Sequence, residues 1–219
     1  MSMEIGIEHN VKEAVRLMSV KQNKQVPFAA SMAINFTADD VAQEVTRQMS
    51  KYLDRPTPFT EKAFVSKVGK FKGKRATKRN LEAVIIPGAA QADYLHYQVF
   101  GGTRYPKKQK IAVPTANAKL NKYGNIASRR NGLLKNDNQF IATIKGVTGI
   151  WERGHYSKAG KFTTKGTSRA TAIKLIHVFQ DDVSYKPLFP MFKIASRTVN
   201  KRFGKNFDKA MKIAMVTAR

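Results

Sequence analysis

The stretch Pro27-Phe28-Ala29-Ala30-Ser31-Met32-Ala33-Ile34-Asn35-Phe36-Thr37-Ala38-Asp39-Asp40-Val41-Ala42-Gln43-Glu44-Val45-Thr46-Arg47-Gln48-Met49-Ser50-Lys51-Tyr52 decides the fold class. Ile34, Ala38, Val41, Val45, Met49 and Tyr52 recur at steps of four, three, four, four and three, one apolar stripe along a helix. Pro27 suits the first helical turn, where its missing N–H costs nothing. Asp54-Arg55-Pro56-Thr57-Pro58 then forbids continuation. A helix over residues 28–53 spans about 39 Å at roughly 1.5 Å per residue. Asp39-Asp40 are expected to complement its positive end; as a metal pair they point about 100° apart and do not converge.

Before this helix, Met3, Ile5 and Ile7 alternate with polar residues and glycine as in a short strand or arm, and Val11, Ala14, Val15 and Met18 mark a short amphipathic helix. After it, Ala63–Phe71 alternates weakly and Leu81–Ile86 reads as a strand. Ala89–Phe100 is helical, with Ala92, Leu95 and Val99 on one face and Gly101-Gly102 as its stop. Further strands are expected at Ile111–Val113, Phe140–Ile144, Ile150–Arg153 and Ile173–Phe179. Between them lie turn-rich stretches at Asn121–Asn125, Arg130–Gly132 and Gly154–Ser168. Past Pro187 and Pro190, a terminal helix carries Ala195, Val199, Phe203, Phe207, Ala210 and Ala214, with Gly204 expected to bend or split it.

Long helices at both ends with strands between them imply α+β: a mixed or antiparallel sheet flanked by a long N-terminal helix and a basic C-terminal helix. No composition break cuts the chain, so one domain over 1–219 is expected. Its parts are an arm and short helix at 1–26, the long helix at 27–54, a strand-rich basic middle at 55–186 with a mobile loop at 154–172, and the terminal helix at 187–219.

Charge narrows the function. Forty Lys and Arg face 15 Asp and Glu, a formal net of +25. Such self-repulsion is tolerated where a polyanion or acidic partner screens it, which argues against a freely diffusing metabolic enzyme. Residues 1–50 hold five bases and six acids, so the excess lies in the remaining 169 residues. There the bases come in acid-free blocks: seven in Ser66–Asn80, nine in Arg104–Lys135 and six in Arg153–Lys174. A solvated face usually interleaves both signs; these blocks place cations, Gly, Thr and Ser where phosphates can be met without reading bases. Candidates for facing DNA or another polyanion are Lys67, Lys70, Lys72, Lys74, Arg75, Lys78, Arg79, Arg104, Lys107, Lys108, Lys110, Arg129 and Arg130. Candidates for packing between subunits are Ile34, Val41, Val45 and Met49.

Other chemistry finds little footing. There is no cysteine, which excludes disulfides and thiolate metal sites. No phosphate-binding, dinucleotide-binding, zinc-protease or serine-hydrolase motif occurs, and His9, His96, His155 and His177 lie far apart in sequence. No enzyme activity, catalytic residue, metal or cofactor is expected; a metal-dependent nuclease is an outside alternative. Trp151 beside Arg153 could stack on a base, but a core or sheet-face aromatic is the better reading. Tyr94, Tyr97, Phe100 and Tyr105 could stack on bases but read first as packing, and Gly101-Gly102-Thr103-Arg104 as a helix exit rather than a phosphate cradle. The N-terminus lacks the charged and apolar regions of a signal peptide, and no apolar run reaches membrane-span length. A soluble, intracellularly made protein is expected.

Pro27–Asn35 opening a long helix, Asp54-Arg55-Pro56-Thr57-Pro58-Phe59-Thr60 closing it, a basic middle, and a proline-marked basic terminal helix from Pro187 to Arg219 resemble the lambda-type minor tail protein Z, or tail completion, family of bacteriophages. The likeness runs in order from about Val26 to Arg219. It implies a structural virion protein made in the host cytoplasm, acting in a ring at the head–tail junction or tail end. The implied partners are other copies of the chain, portal, connector or tail-tube proteins and, as a further candidate, double-stranded DNA, with neither membrane nor small-molecule substrate. The alternative is a sequence-independent DNA- or RNA-binding protein working outside a particle.

Overall fold

The computed structural model describes residues 5–8, 20–106, 110–126, 134, 137–164 and 171–217. The fold is α+β, and among the described residues every strand pairing is antiparallel. Where the sequence is read as one domain, the chain packs as two compact units: residues 1–101 with 186–219, and residues 102–185.

The first unit is organised by two long helices, α1 (Val20–Tyr52) and α4 (Met191–Val216), which pack together. They run antiparallel: Ala29 and Ala33 of α1 meet Ala210 and Ala214 of α4, Asn206 reaches Thr37 and Asp40, and the Tyr52 ring lies 6.0 Å from that of Phe189 just before α4. All four alanines are fully buried, so small side chains let the helix backbones approach closely. The α1 stripe continues this contact into the main core. Ile34, Ala38, Val41, Val45 and Met49 are fully buried among Phe64, Phe71, Ile85, Leu95, Phe189 and Met191. A three-stranded sheet, β1 (Ile5–Glu8), β3 (Glu82–Ile85) and β2 (Gly73–Lys74), with β3 central, packs on α1 through β3.

α1 begins seven residues before Pro27, which therefore lies inside the helix rather than in its first turn. Proline removes one N–H and strains the preceding turn, a cost of about 3 kcal/mol. Val26 and Ala30 oppose that cost: both are fully buried against Leu81, Phe207 and Met211, holding the helix on either side of the ring. The stop is as expected. Arg55 turns into the left-handed region at φ 46°, and Thr57 caps a one-turn helix, α2 (Pro58–Glu61), by accepting the Thr60 N–H at 3.2 Å.

α3 (Ala89–Phe100) occupies the expected residues, and Gly101 at φ 72° ends it. Ala63–Phe71 forms a turn rather than a strand, with a single bridge between Val65 and Phe71. α4 is one continuous helix, so Gly204 does not split it. That residue sits on the exposed side, with open space where a Cβ would stand. The helix expected around Val11–Met18 lies outside the described residues.

The second unit starts and finishes on one ribbon, because β4 (Gly102–Arg104) pairs with β10 (Val183–Tyr185). Its main sheet runs β5 (Ile111–Pro114), β9 (Ala172–Gln180), β7 (Val147–Tyr156) and β6 (Gln139–Ile144), with β8 (Phe162–Thr163) added to β7. The four strands expected here all form. A Lys145-Gly146 turn with φ of 51° and 80° closes the β6–β7 hairpin, the left-handed geometry that such turns need. The stretch expected as a mobile loop from Gly154 is strand through Tyr156 and again at Phe162–Thr163, where the Tyr156 and Phe162 rings meet edge to face at 5.7 Å. Its 165–170 part lies outside the described residues. Among the described residues, no helix is long and apolar enough to cross a membrane.

Candidate polyanion-binding surface

The basic segment Ser66–Asn80 is held by two side chains one turn apart on α1. Asn35 donates to the Ala76 carbonyl and accepts the Ala76 N–H, both at 2.9 Å. Asp39 accepts the Phe71 N–H at 3.0 Å, and its other oxygen lies 3.3 Å from the Lys70 ammonium and 3.7 Å from Arg75. The expectation that Asp39-Asp40 sit at the positive end of the helix is thereby corrected. α1 starts at Val20, so both lie in mid-helix: Asp39 is buried under the basic segment, and Asp40 accepts from the Asn206 amide at 2.9 Å.

Most of the seven cations in this segment have structural contacts while keeping exposed heads. Lys72 donates to the Lys62 carbonyl at 2.6 Å, and Lys74 lies 3.5 Å from Glu82. The Arg75 guanidinium sits 4.8 Å over the Phe71 ring, and the Lys78 ammonium 4.7 Å over Phe28. Lys67 and Arg79 are exposed with none of these contacts. Asp39 and Glu82 offset only part of this charge, so the segment is an ordered positive ledge. Cations already held in place lose less side-chain freedom when they meet a phosphate or carboxylate.

The other candidates fall elsewhere. Arg104 is exposed on β4, and Lys110 is paired with Asp181 at 2.9 Å, both in the second unit. Lys107, Lys108, Arg129 and Arg130 lie outside the described residues. Trp151 is half-buried on the sheet and donates its indole N–H to the Ala142 carbonyl at 3.1 Å, as a packing residue does. Tyr94 shares a hydrogen bond of 2.9 Å with Thr60, and Gly101 donates to the Tyr97 carbonyl as a helix exit. Tyr105 does not pack as expected: it lies past the end of α3 and is exposed.

A second basic feature was not among the sequence candidates. α4 carries Lys193, Arg197, Lys201, Arg202, Lys205, Lys209 and Lys212, all exposed, against the single acid Asp208. Five of them recur every fourth residue, a ridge with a cation about every 6 Å along the axis. The spacing is visible in the sequence, beneath the apolar stripe of the same helix. Lys209 is steadied 5.1 Å over the Phe36 ring.

The expected subunit-packing residues need correction. Ile34, Val41, Val45 and Met49 have no exposed surface within the chain itself. The rest of the first unit covers these four residues, which leaves none of them for a neighbouring copy.

Comparison with protein-family models, curated proteins and solved structures finds no match to this chain.

Proposed function

We propose that the chain is a structural virion protein of a tailed bacteriophage, a tail completion or neck component. In this reading it forms a ring at the head–tail junction or tail end and turns a basic face to DNA or to acidic portal and tail-tube surfaces. The observation that carries the reading is the concentrated positive charge of the first unit: an ordered basic ledge anchored by Asn35 and Asp39, and an exposed cation ridge on α4 with one acid. The ordered likeness from Val26 to Arg219 supplies the phage context. Because the α1 stripe is used within the chain, contacts between copies fall to other surfaces, such as the exposed Leu188 and Phe192. The role needs no catalytic residue, metal or cofactor.

Mass spectrometry of purified particles tests this. The protein should be present in mature virions, and particles made without it should carry unjoined or unfinished tails. Its absence from virions, with normal tails forming without it, overturns the reading.

The same cation ridge favours a second reading, sequence-independent nucleic-acid binding outside a particle. That reading requires DNA or RNA affinity falling steeply with salt. A flat salt dependence eliminates it and leaves the virion reading standing.

A further inference from the structure

Between α1 and α4 of the first unit runs a groove of about 670 Å³ whose two walls differ in chemistry. The α1 wall presents Asp40 and Glu44, and both carboxylates are already satisfied. Asp40 accepts from Asn206 at 2.9 Å. Glu44 takes two bonds from Arg47, at 2.6 and 2.8 Å, and one from Gln48 at 2.7 Å, and the Arg47 bonds hold its carboxyl down to about 2. The α4 wall presents Arg197, Lys201 and Arg202. Among the described residues none of these three has a carboxylate partner, although carboxylates line the opposite wall. Ile194 and Tyr52 add apolar surface to the same groove.

We propose that this groove binds an acidic peptide segment of a partner protein, with the peptide carboxylates on Arg197, Lys201 and Arg202. Guanidinium groups match carboxylates in planar, two-bonded geometry, and Arg197 and Arg202, with the Lys201 ammonium beside them, give a run of donors along one wall. A nucleic-acid strand fits the groove worse. Its backbone is charged at every step, and within the groove those charges would face the fixed carboxylates of Asp40 and Glu44. A peptide can set acidic side chains toward α4 and neutral ones toward α1, Ile194 and Tyr52. The assignment goes beyond the virion reading, since it names a site and a ligand chemistry that hold in any assembly.

The test is fluorescence polarisation on the full chain, using a labelled short peptide alternating Glu with Leu and Ala, and the same peptide with Gln for Glu. Arg197→Gln with Arg202→Gln should weaken the acidic peptide about tenfold or more. Lys193→Gln with Lys212→Gln removes the same charge from the same helix outside the groove, and should change affinity by no more than about twofold. The Gln peptide should not bind. Equal loss in both double variants means a diffuse electrostatic field and overturns the proposal, as does failure of the wild type to bind the acidic peptide at low ionic strength. A groove variant that loses duplex DNA binding more than peptide binding overturns it in favour of a nucleic-acid site. The particle measurement is independent: absence from virions sinks the virion reading and leaves this one intact.

Discussion

Replacing Asn35 with alanine should release the basic ledge from the helix that carries it. Asn35 satisfies both backbone groups of Ala76, and Ala76 is itself buried, at 6% exposure. Leaving a buried backbone donor or acceptor unpaired costs about 1–3 kcal/mol. Water can reach part of a surface segment, so the two groups together should cost roughly 2–3 kcal/mol rather than the full sum. For a protein of this size that lowers the melting temperature by about 4–12 °C. Thermal unfolding by circular dichroism measures the loss, and hydrogen exchange locates it: the Ala76 and Phe71 amides should exchange faster while those at the centre of α1 stay protected. Asn35→Asp separates the two bonds. It keeps the acceptor for the Ala76 N–H but sets a carboxylate oxygen against the Ala76 carbonyl, and should destabilise at least as much. If Asn35→Ala melts within about 1 °C of wild type with Ala76 still protected, the side chain does not anchor the segment and the reasoning fails.

Met49→Ala, which opens a cavity in the main core, should cost about 2–5 kcal/mol in denaturant unfolding without altering the oligomeric state seen by light scattering; a dissociated but otherwise stable variant would restore the stripe to a subunit interface. Gly204→Ala should stabilise by about 0.5–1 kcal/mol, because the added methyl meets open space in a continuous helix, whereas a lower melting temperature would refute that. Gly149→Ala should destabilise by about 1–3 kcal/mol, since its methyl would collide with the His177 carbonyl where β7 and β9 shift register, and an unchanged melt would refute that close approach. Glu44 has a folded pKa of about 2 against 4.5, so its ionisation stabilises the fold fully above pH 4.5, and the contribution fades as pH falls toward 2. Because Arg47 is largely exposed, this is worth only about 0.5 kcal/mol; Glu44→Gln should be slightly less stable at neutral pH and converge with wild type toward pH 2, and a gap that persists there would count against the ion pair.

The helices and strands were legible wherever local signals agreed with tertiary packing. α3 has helical spacing and a glycine stop, so its limits coincide with the expected ones; the strands of the second unit have branched residues and turns at both ends. The start of α1 was not legible, since proline is a local signal and the burial of Val26 against Phe207 depends on residues at the far end of the chain. The apolar stripe shows that something covers Val41 and Val45 but carries no label for the covering element, so an internal contact and a subunit contact look alike in the sequence. The candidate surface divides in the same way. Its positive charge can be counted in the sequence, but Asn35 and Asp39 grip residues 41 and 32 positions away, and pairing at that distance leaves no spacing pattern.

The pairing of β4 with β10 has a consequence for how this chain can change. Tyr185 stands opposite Gly102 in that ribbon, so the points where the second unit leaves and rejoins the first lie about one strand spacing apart, roughly 5 Å. A short turn spans that distance. Residues 102–185 can therefore lengthen, shrink or be exchanged for another sheet without rethreading the helix pair. The helices would keep their ledge and ridge while the inserted sheet was free to diverge.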